Sequence, residues 1–169
     1  MDAIEAILTR RSVRTYKNKK ITDELINELI EAGISAPSAG NQQPWHFIIL
    51  NDRKIIDKIT DFHPYSSMLP NAQIAIIVCG DLEIETNKGF WIQDCSAATE
   101  NILIAARAKG LGSCWLGLYP REDRVTGIRN LLKIPEKVIP LSLISLGYPA
   151  VKQDKVKRYN SSRIHKNKW

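Results

Sequence analysis

The sequence is poor in the residues that announce common chemistries. Its 169 residues include three cysteines, Cys79, Cys95 and Cys114, far apart among apolar neighbours, with no CxxC pair and no histidine at metal-ligand spacing. This argues against a structural zinc site or a dithiol motif. The three read as reduced core thiols, and no metal is expected. Three histidines, His46, His63 and His165, are scattered, and the carboxylates sit mostly on helical faces, so no acid–base or nucleophilic constellation emerges. The nine glycines supply no phosphate cradle. "GLGSCW" from Gly110 lacks the third glycine of a dinucleotide fingerprint and follows a helical stretch, and GxxxxGK[ST] does not occur. No apolar run approaches the roughly 20 residues that span a bilayer. "MDAIEAILTRR" has acids where a signal peptide would be basic. A soluble cytoplasmic protein is expected, in which the Asn160 "NSS" is no glycosylation acceptor.

Acid is also unevenly missing. Of 24 Lys and Arg and 18 Asp and Glu, the last 18 residues, 152–169, hold seven bases and one acid, so the net charge of +6 resides in the tail. A second acid-free stretch, Arg10–Lys20, carries six bases. With 44% apolar and 25% charged residues, the chain has an ordinary globular composition. Its length suits one domain, 1–169, with no linker before about Pro149.

What is present alternates helical and strand-like segments. Asp2 caps a short helix with Ile4, Ile7 and Leu8 on one face, and Thr22 caps "TDELINELIEAGISA". "APSAGNQQPW" is an ordered loop broken by Pro37, Gly40 and Pro44. "WHFIIL" and "IAIIVCG" read as strands covered on both faces, with "RKIIDKI" a short helix between them. Residues 88–109 suggest one long helix, apolar nearly all round in its second half and therefore central. "GLGSCWLGLYP" contains a strand, "REDRVTGIRNLL" a helix, and "VIPLSLISLGYP" another buried strand. The sum is an α/β or α+β layered domain.

The densest chemistry lies in "RRSVRTY", with Arg10, Arg11, Ser12 and Arg14 following a helix. Arginine binds phosphate in planar, bidentate fashion, and serine adds a hydroxyl within the same reach. A pocket for one dense anion and a solvated loop are both open on these grounds. Nucleic-acid binding is disfavoured, because the body is charge-balanced and aromatics do not interleave with the bases.

Taken in order, "RRSVRTY", "APSAGNQQPWHFIIL", "GLGSCWLG" and "RYNSSRIHKNKW" resemble the FMN-dependent nitroreductase family over about residue 4 to Trp169. The resemblance implies an α+β three-layer fold: a central, mostly antiparallel sheet flanked by helices, in a homodimer with FMN in clefts between subunits. The apolar helix around Ile102–Ala108 is then a candidate interface element. It further implies that Arg10, Arg11 and Ser12 hold the phosphate and ribityl chain. Arg163, in a tail over 150–169, would complete that site. Arg14 would stabilise the charge developed at N1 and O2 of the reduced ring. Pro37, Ser38, Ala39, Asn41 and Gln42 would reach the flavin from the partner, while Trp115, Leu116 and Gly117 flank the ring, the Gly117 N–H facing N5. The implied activity is ping-pong transfer from NADH or NADPH through FMN to a nitroaromatic, quinone or similar acceptor, with no catalytic side chain. The alternative is a flavin-binding or redox-sensing protein without turnover. The chain leaves little room for a helical roof in "GDLEIETNKGFW", and "FHPYSSMLPNAQ" offers no assigned flavin contact.

Overall fold

The computed structural model describes residues 1–152 and 155–169. Five helices, α1 (Ala3–Thr9), α2 (Asp23–Ile34), α3 (Arg53–Lys58), α4 (Trp91–Ala108) and α5 (Glu122–Leu132), cover a sheet of five strands. These are β1 (Tyr16–Lys17), β2 (Trp45–Leu50), β3 (Ile74–Asp81), β4 (Gly112–Gly117) and β5 (Val138–Pro149). The order is β1-β5-β3-β2, with β4 also on β5, and every ladder is antiparallel. β3 and β4 lie on opposite edges of β5, and β1 pairs with its end at Tyr148 and Pro149, beyond the residues that β3 and β4 occupy.

The three expected layers follow from period-two alternation along β3. Ile74, Ile76 and Val78 pack on the α2 and α4 side with Ile26, Leu29, Ala98 and Ile102. Ala75, Ile77 and Cys79 face the opposite layer with Ile56, Ile59 and Ile128. Each fully buried isoleucine contributes about 1.5–3 kcal/mol, and all of β3 but its last residue is buried. The continuous apolar run therefore marks a strand covered on both faces in an antiparallel sheet.

Two expectations are corrected. "WHFIIL" is an edge strand, so His46 is exposed and Ile49 is 41% exposed instead of covered. The long helix begins at Trp91, where the buried Glu85 carboxylate accepts the Trp91 N–H at 3.1 Å. Its apolar girth is accounted for within the chain, since α4 packs against α1, α2 and four strands. The end caps read from sequence are in place: Asp2 accepts from Glu5 N–H at 3.2 Å and Thr22 from Leu25 N–H at 3.3 Å.

Candidate functional site

"RRSVRTY" is part of the sheet edge. Ser12 bridges Ser113 in parallel, Val13 N–H donates to the Ser113 carbonyl at 2.9 Å, and Tyr16 pairs with Pro149 on β5. The Tyr16 hydroxyl lies 2.7 Å from both the Val13 carbonyl and Ser145 Oγ, and burial pushes its pKa well above the usual phenol range. This tyrosine fixes the loop from inside. Ahead of it, Arg10 Nε pairs with Glu100 at 3.1 Å, and Arg107 Nε donates to Thr9 Oγ1 at 2.9 Å. Glu100 and Arg107 stand two turns apart on one face of α4 and seat the end of α1.

Arg11 turns inward. Its Nη1 donates to the carbonyls of Leu8 and Arg10, while the buried Nε and Nη2 have no partner among the described residues. Burying unpaired N–H groups is costly, and an anion's oxygens are the matching acceptors. Arg14 lines a cleft of ≈370 Å³ against β4, with His63, Tyr65, Trp115, Gly117 and Arg124 also on its wall. Among the described residues no carboxylate lines it. Buried Cys114 ties the segments together: burial pushes its thiol pKa up, and Arg14, Ser12 and Arg10 act in the opposite direction. Larger hollows beside Arg53 (≈470 Å³) and His46 (≈550 Å³) include none of these groups.

The backbone of β4 has its own polarity. Alternation gives the even residues to β5 and turns Ser113, Trp115 and Gly117 outward. Accordingly the Ser113 carbonyl meets Val13, and the Gly117 carbonyl meets His63 Nε2 at 3.1 Å and Arg124 Nη1 at 2.9 Å. The Gly117 N–H is aimed at the same open edge. A Cβ on Gly117 would meet no protein atom within 4 Å, so packing does not account for the missing side chain. It leaves room for a flat ligand against the strand.

The 37–42 loop lies elsewhere on α4. Gly40 has φ +55° and Asn41 φ +56°, a left-handed pair that glycine and asparagine tolerate best, followed by Gln43 at +47°. Gln43 N–H donates to Ser38 Oγ at 3.0 Å, and Gln43 Nε2 to Asn41 Oδ1 at 2.9 Å. Asp94, 4% exposed, accepts from Ala39 N–H at 3.0 Å and Gln42 Nε2 at 2.6 Å. Gln42 Oε1 accepts from the N–H groups of Thr86 and Asn87. Its amide is thus engaged with Asp94 on α4 and with the 86–87 backbone, which leaves Pro37, Ser38, Ala39 and Asn41 as the other loop residues of the predicted set. Asp94 and Glu100 differ by a rise of about 9 Å and about 120° around the helix axis. One chain therefore presents these two segments on different sides of α4.

Arg163 sits in a short turn, Ser161–Arg163, on an exposed tail. Among the described residues, the hydrogen bonds of 155–169 stay within it, and Gln153 and Asp154 of the expected tail lie outside the described residues. His63, Tyr65 and Arg124 are the cleft residues that sequence reasoning missed. The "HPY" of 63–65 and the single arginine, Arg124, in the otherwise acidic first turn of α5 are short, aperiodic signals that acquire meaning only when both meet Gly117.

With this geometry in view, comparison with known proteins gives a consistent result. The nitroreductase family model matches residues 7–64 and 63–148. A Methanothermobacter thermautotrophicus protein, provisionally named an NADH dehydrogenase/NAD(P)H nitroreductase, is 50% identical over 100% of this chain and 88% of its own length. A solved Parabacteroides distasonis protein with the same provisional name has a TM-score of 0.95 at 42% identity, covering 99% of this chain and 98% of that one. A nitroreductase, also provisionally named, from Desulfovibrio desulfuricans, solved in complex with FMN, has a TM-score of 0.86 at 29% identity, covering 100% and 98%. The chain belongs to the nitroreductase family. Among the described residues no helix is long and apolar enough to cross a membrane, and no group of three or more His, Cys, Asp or Glu could hold a metal ion.

Proposed function

We propose that this protein is a cytoplasmic, homodimeric FMN oxidoreductase that passes hydride equivalents from NADH or NADPH to a nitroaromatic, quinone or similar acceptor in ping-pong order. The observation that carries the reading is the cleft, without a carboxylate among its described residues, where Arg14 shares a wall with the outward Gly117 edge of β4. The residues present fit FMN. Arg11 has buried N–H groups awaiting an acceptor, Ser12 supplies a hydroxyl, Gly117 leaves space for a planar ring, and two arginines match an anion.

Arg10, Arg11 and Ser12 would hold the phosphate and ribityl groups, and Arg14 the pyrimidine edge. Trp115, Leu116 and Gly117 would lie beside the ring. When bound, FMN supplies hydride acceptance and release at N5; the chain supplies position and electrostatics. Pro37, Ser38, Ala39 and Asn41 would come from the partner, with Gln42 acting as their brace. The separation of the two segments around α4 supports a site made from two chains. So do the exposed apolar groups of α1, Ile4, Ile7 and Leu8, and those of the tail, Tyr159, Ile164 and Trp169. On this reading Arg163 reaches the phosphate of the site it shares with its partner.

The test is anaerobic addition of NADH and, separately, NADPH to protein reconstituted with FMN, followed by a panel of acceptors. Bleaching of the visible flavin band and its return with a nitroaromatic or quinone is the expected result. A protein that takes up no FMN, or retains it without oxidising either nicotinamide, would overturn the proposal. Molar-mass measurement by light scattering checks the dimer.

A further inference from the structure

We infer that His63 is a positioning residue of the flavin site: together with Arg124 it clamps the Gly117 carbonyl and so fixes the direction of the Gly117 N–H. The inference rests on the FMN reading above and adds a residue outside the segments that carried it.

Gly117 is the last residue of β4 and lies on its open edge, where a glycine without tertiary restraint is the loosest link in a strand. Two donors converge on its carbonyl, His63 Nε2 at 3.1 Å and Arg124 Nη1 at 2.9 Å, one for each lone pair. The imidazole is 1% exposed and held from behind. His63 N–H donates to the Ile59 carbonyl at 3.0 Å, and Ser66 Oγ donates to the His63 carbonyl at 2.6 Å. Tyr65 N–H donates to Nδ1 at 3.3 Å, which makes Nδ1 the acceptor and leaves the ring proton on Nε2. Desolvation, with Arg124 acting in the same direction, lowers the His63 pKa, so the ring is a neutral donor at pH 7. Among the described residues the partner of this donor is the Gly117 carbonyl.

Holding that carbonyl restricts rotation about Gly117 and with it the neighbouring N–H. A backbone N–H aimed at N5 bonds the oxidised ring, whose N5 accepts, and not the reduced ring, whose N5 carries hydrogen. The clamp therefore favours the oxidised form and lowers the potential. Its removal raises the potential.

The experiment compares His63→Leu, His63→Met and His63→Gln in FMN-loaded protein by spectroelectrochemical titration, with thermal unfolding alongside. Leucine and methionine remove the donor, the flexible methionine giving a second apolar filler where leucine misfits. Glutamine returns an N–H at similar reach. The donorless variants should lose oxidised-over-reduced FMN preference about tenfold, a positive shift of about 30 mV for a two-electron couple, while glutamine holds the wild-type potential. Donorless variants with the wild-type potential, whatever their stability, would overturn the inference and leave the FMN reading intact. So would a glutamine variant that shifts as far as leucine. A wild-type protein that takes up no FMN would overturn both.

Discussion

Asp94→Asn tests how the 37–42 loop is held. The carboxylate is nearly buried and accepts Ala39 N–H at 3.0 Å through one oxygen and Gln42 Nε2 at 2.6 Å through the other. Asparagine has the same shape but a single acceptor, so an amide NH2 must face one of those donors. The loss is one charge-assisted bond plus one unpaired donor, together about 3 kcal/mol. For a chain of this size that corresponds to a fall in Tm of about 6–12 °C. The effect should also reach the flavin. Gln42 ties Asp94 to Thr86 and Asn87, and the left-handed backbone at Gly40 and Asn41 costs more to hold once that brace is gone. The assay is thermal unfolding of the FMN-loaded variant beside an FMN titration followed by flavin fluorescence. A Tm within about 2 °C of wild type would refute the bonding argument, since that is less than about 1 kcal/mol. A large Tm fall with unchanged FMN affinity would show that the loop is structural and not a flavin wall.

Three other outcomes follow from the same geometry. Gly117→Ala should leave Tm nearly unchanged but weaken FMN binding about tenfold, worth about 1.4 kcal/mol. Gly112→Ala should instead cost about 1–3 kcal/mol of stability, because its Cβ would lie 2.7 Å from Val13 Cγ1; the reverse ranking, read by thermal unfolding and FMN titration, contradicts the site. Arg14→Gln should move the flavin potential negative with modest loss of affinity, and Arg10→Gln should mainly weaken FMN binding; equal affinity losses with an unmoved potential would refute that division of roles. Finally, His63 is kept neutral by a pKa below its unfolded value of about 6.5. Between the folded pKa and that value the unfolded chain binds more protons, so stability falls as pH drops from about 6.5. Urea unfolding from pH 7 to pH 5 should show this slope, and His63→Gln should flatten it.

Much of this architecture was legible in the chain itself. Helix spacing, capping residues and apolar runs placed all five helices and the four longer strands, because those signals are local and repeat along each element. The ordered segments from Arg10, Pro37 and Trp115 to Arg163 pointed to a flavin site only through their resemblance to the nitroreductase family, since residue types alone left Arg10–Arg14 open between an anion pocket and a solvated loop. The sequence also made all of Trp45–Leu50 look covered, whereas His46 and Ile49 are exposed, because an apolar run does not reveal which strand will be at the edge. It left 62–73 blank, because a single histidine has no period.

Tertiary structure decided the rest. Only the β4–β5 register shows which backbone groups of Trp115 and Gly117 face outward, and only the return of 63–65 and α5 to that edge brings His63 and Arg124 to one carbonyl. Only the folded chain shows that Gln42 ties its loop to Asp94 on α4 while Arg11 has N–H groups with no partner among the described residues. Residue type sets what a group can bond to, and that is written in the chain; which partner it meets depends on distances between segments tens of residues apart, fixed when the sheet closes.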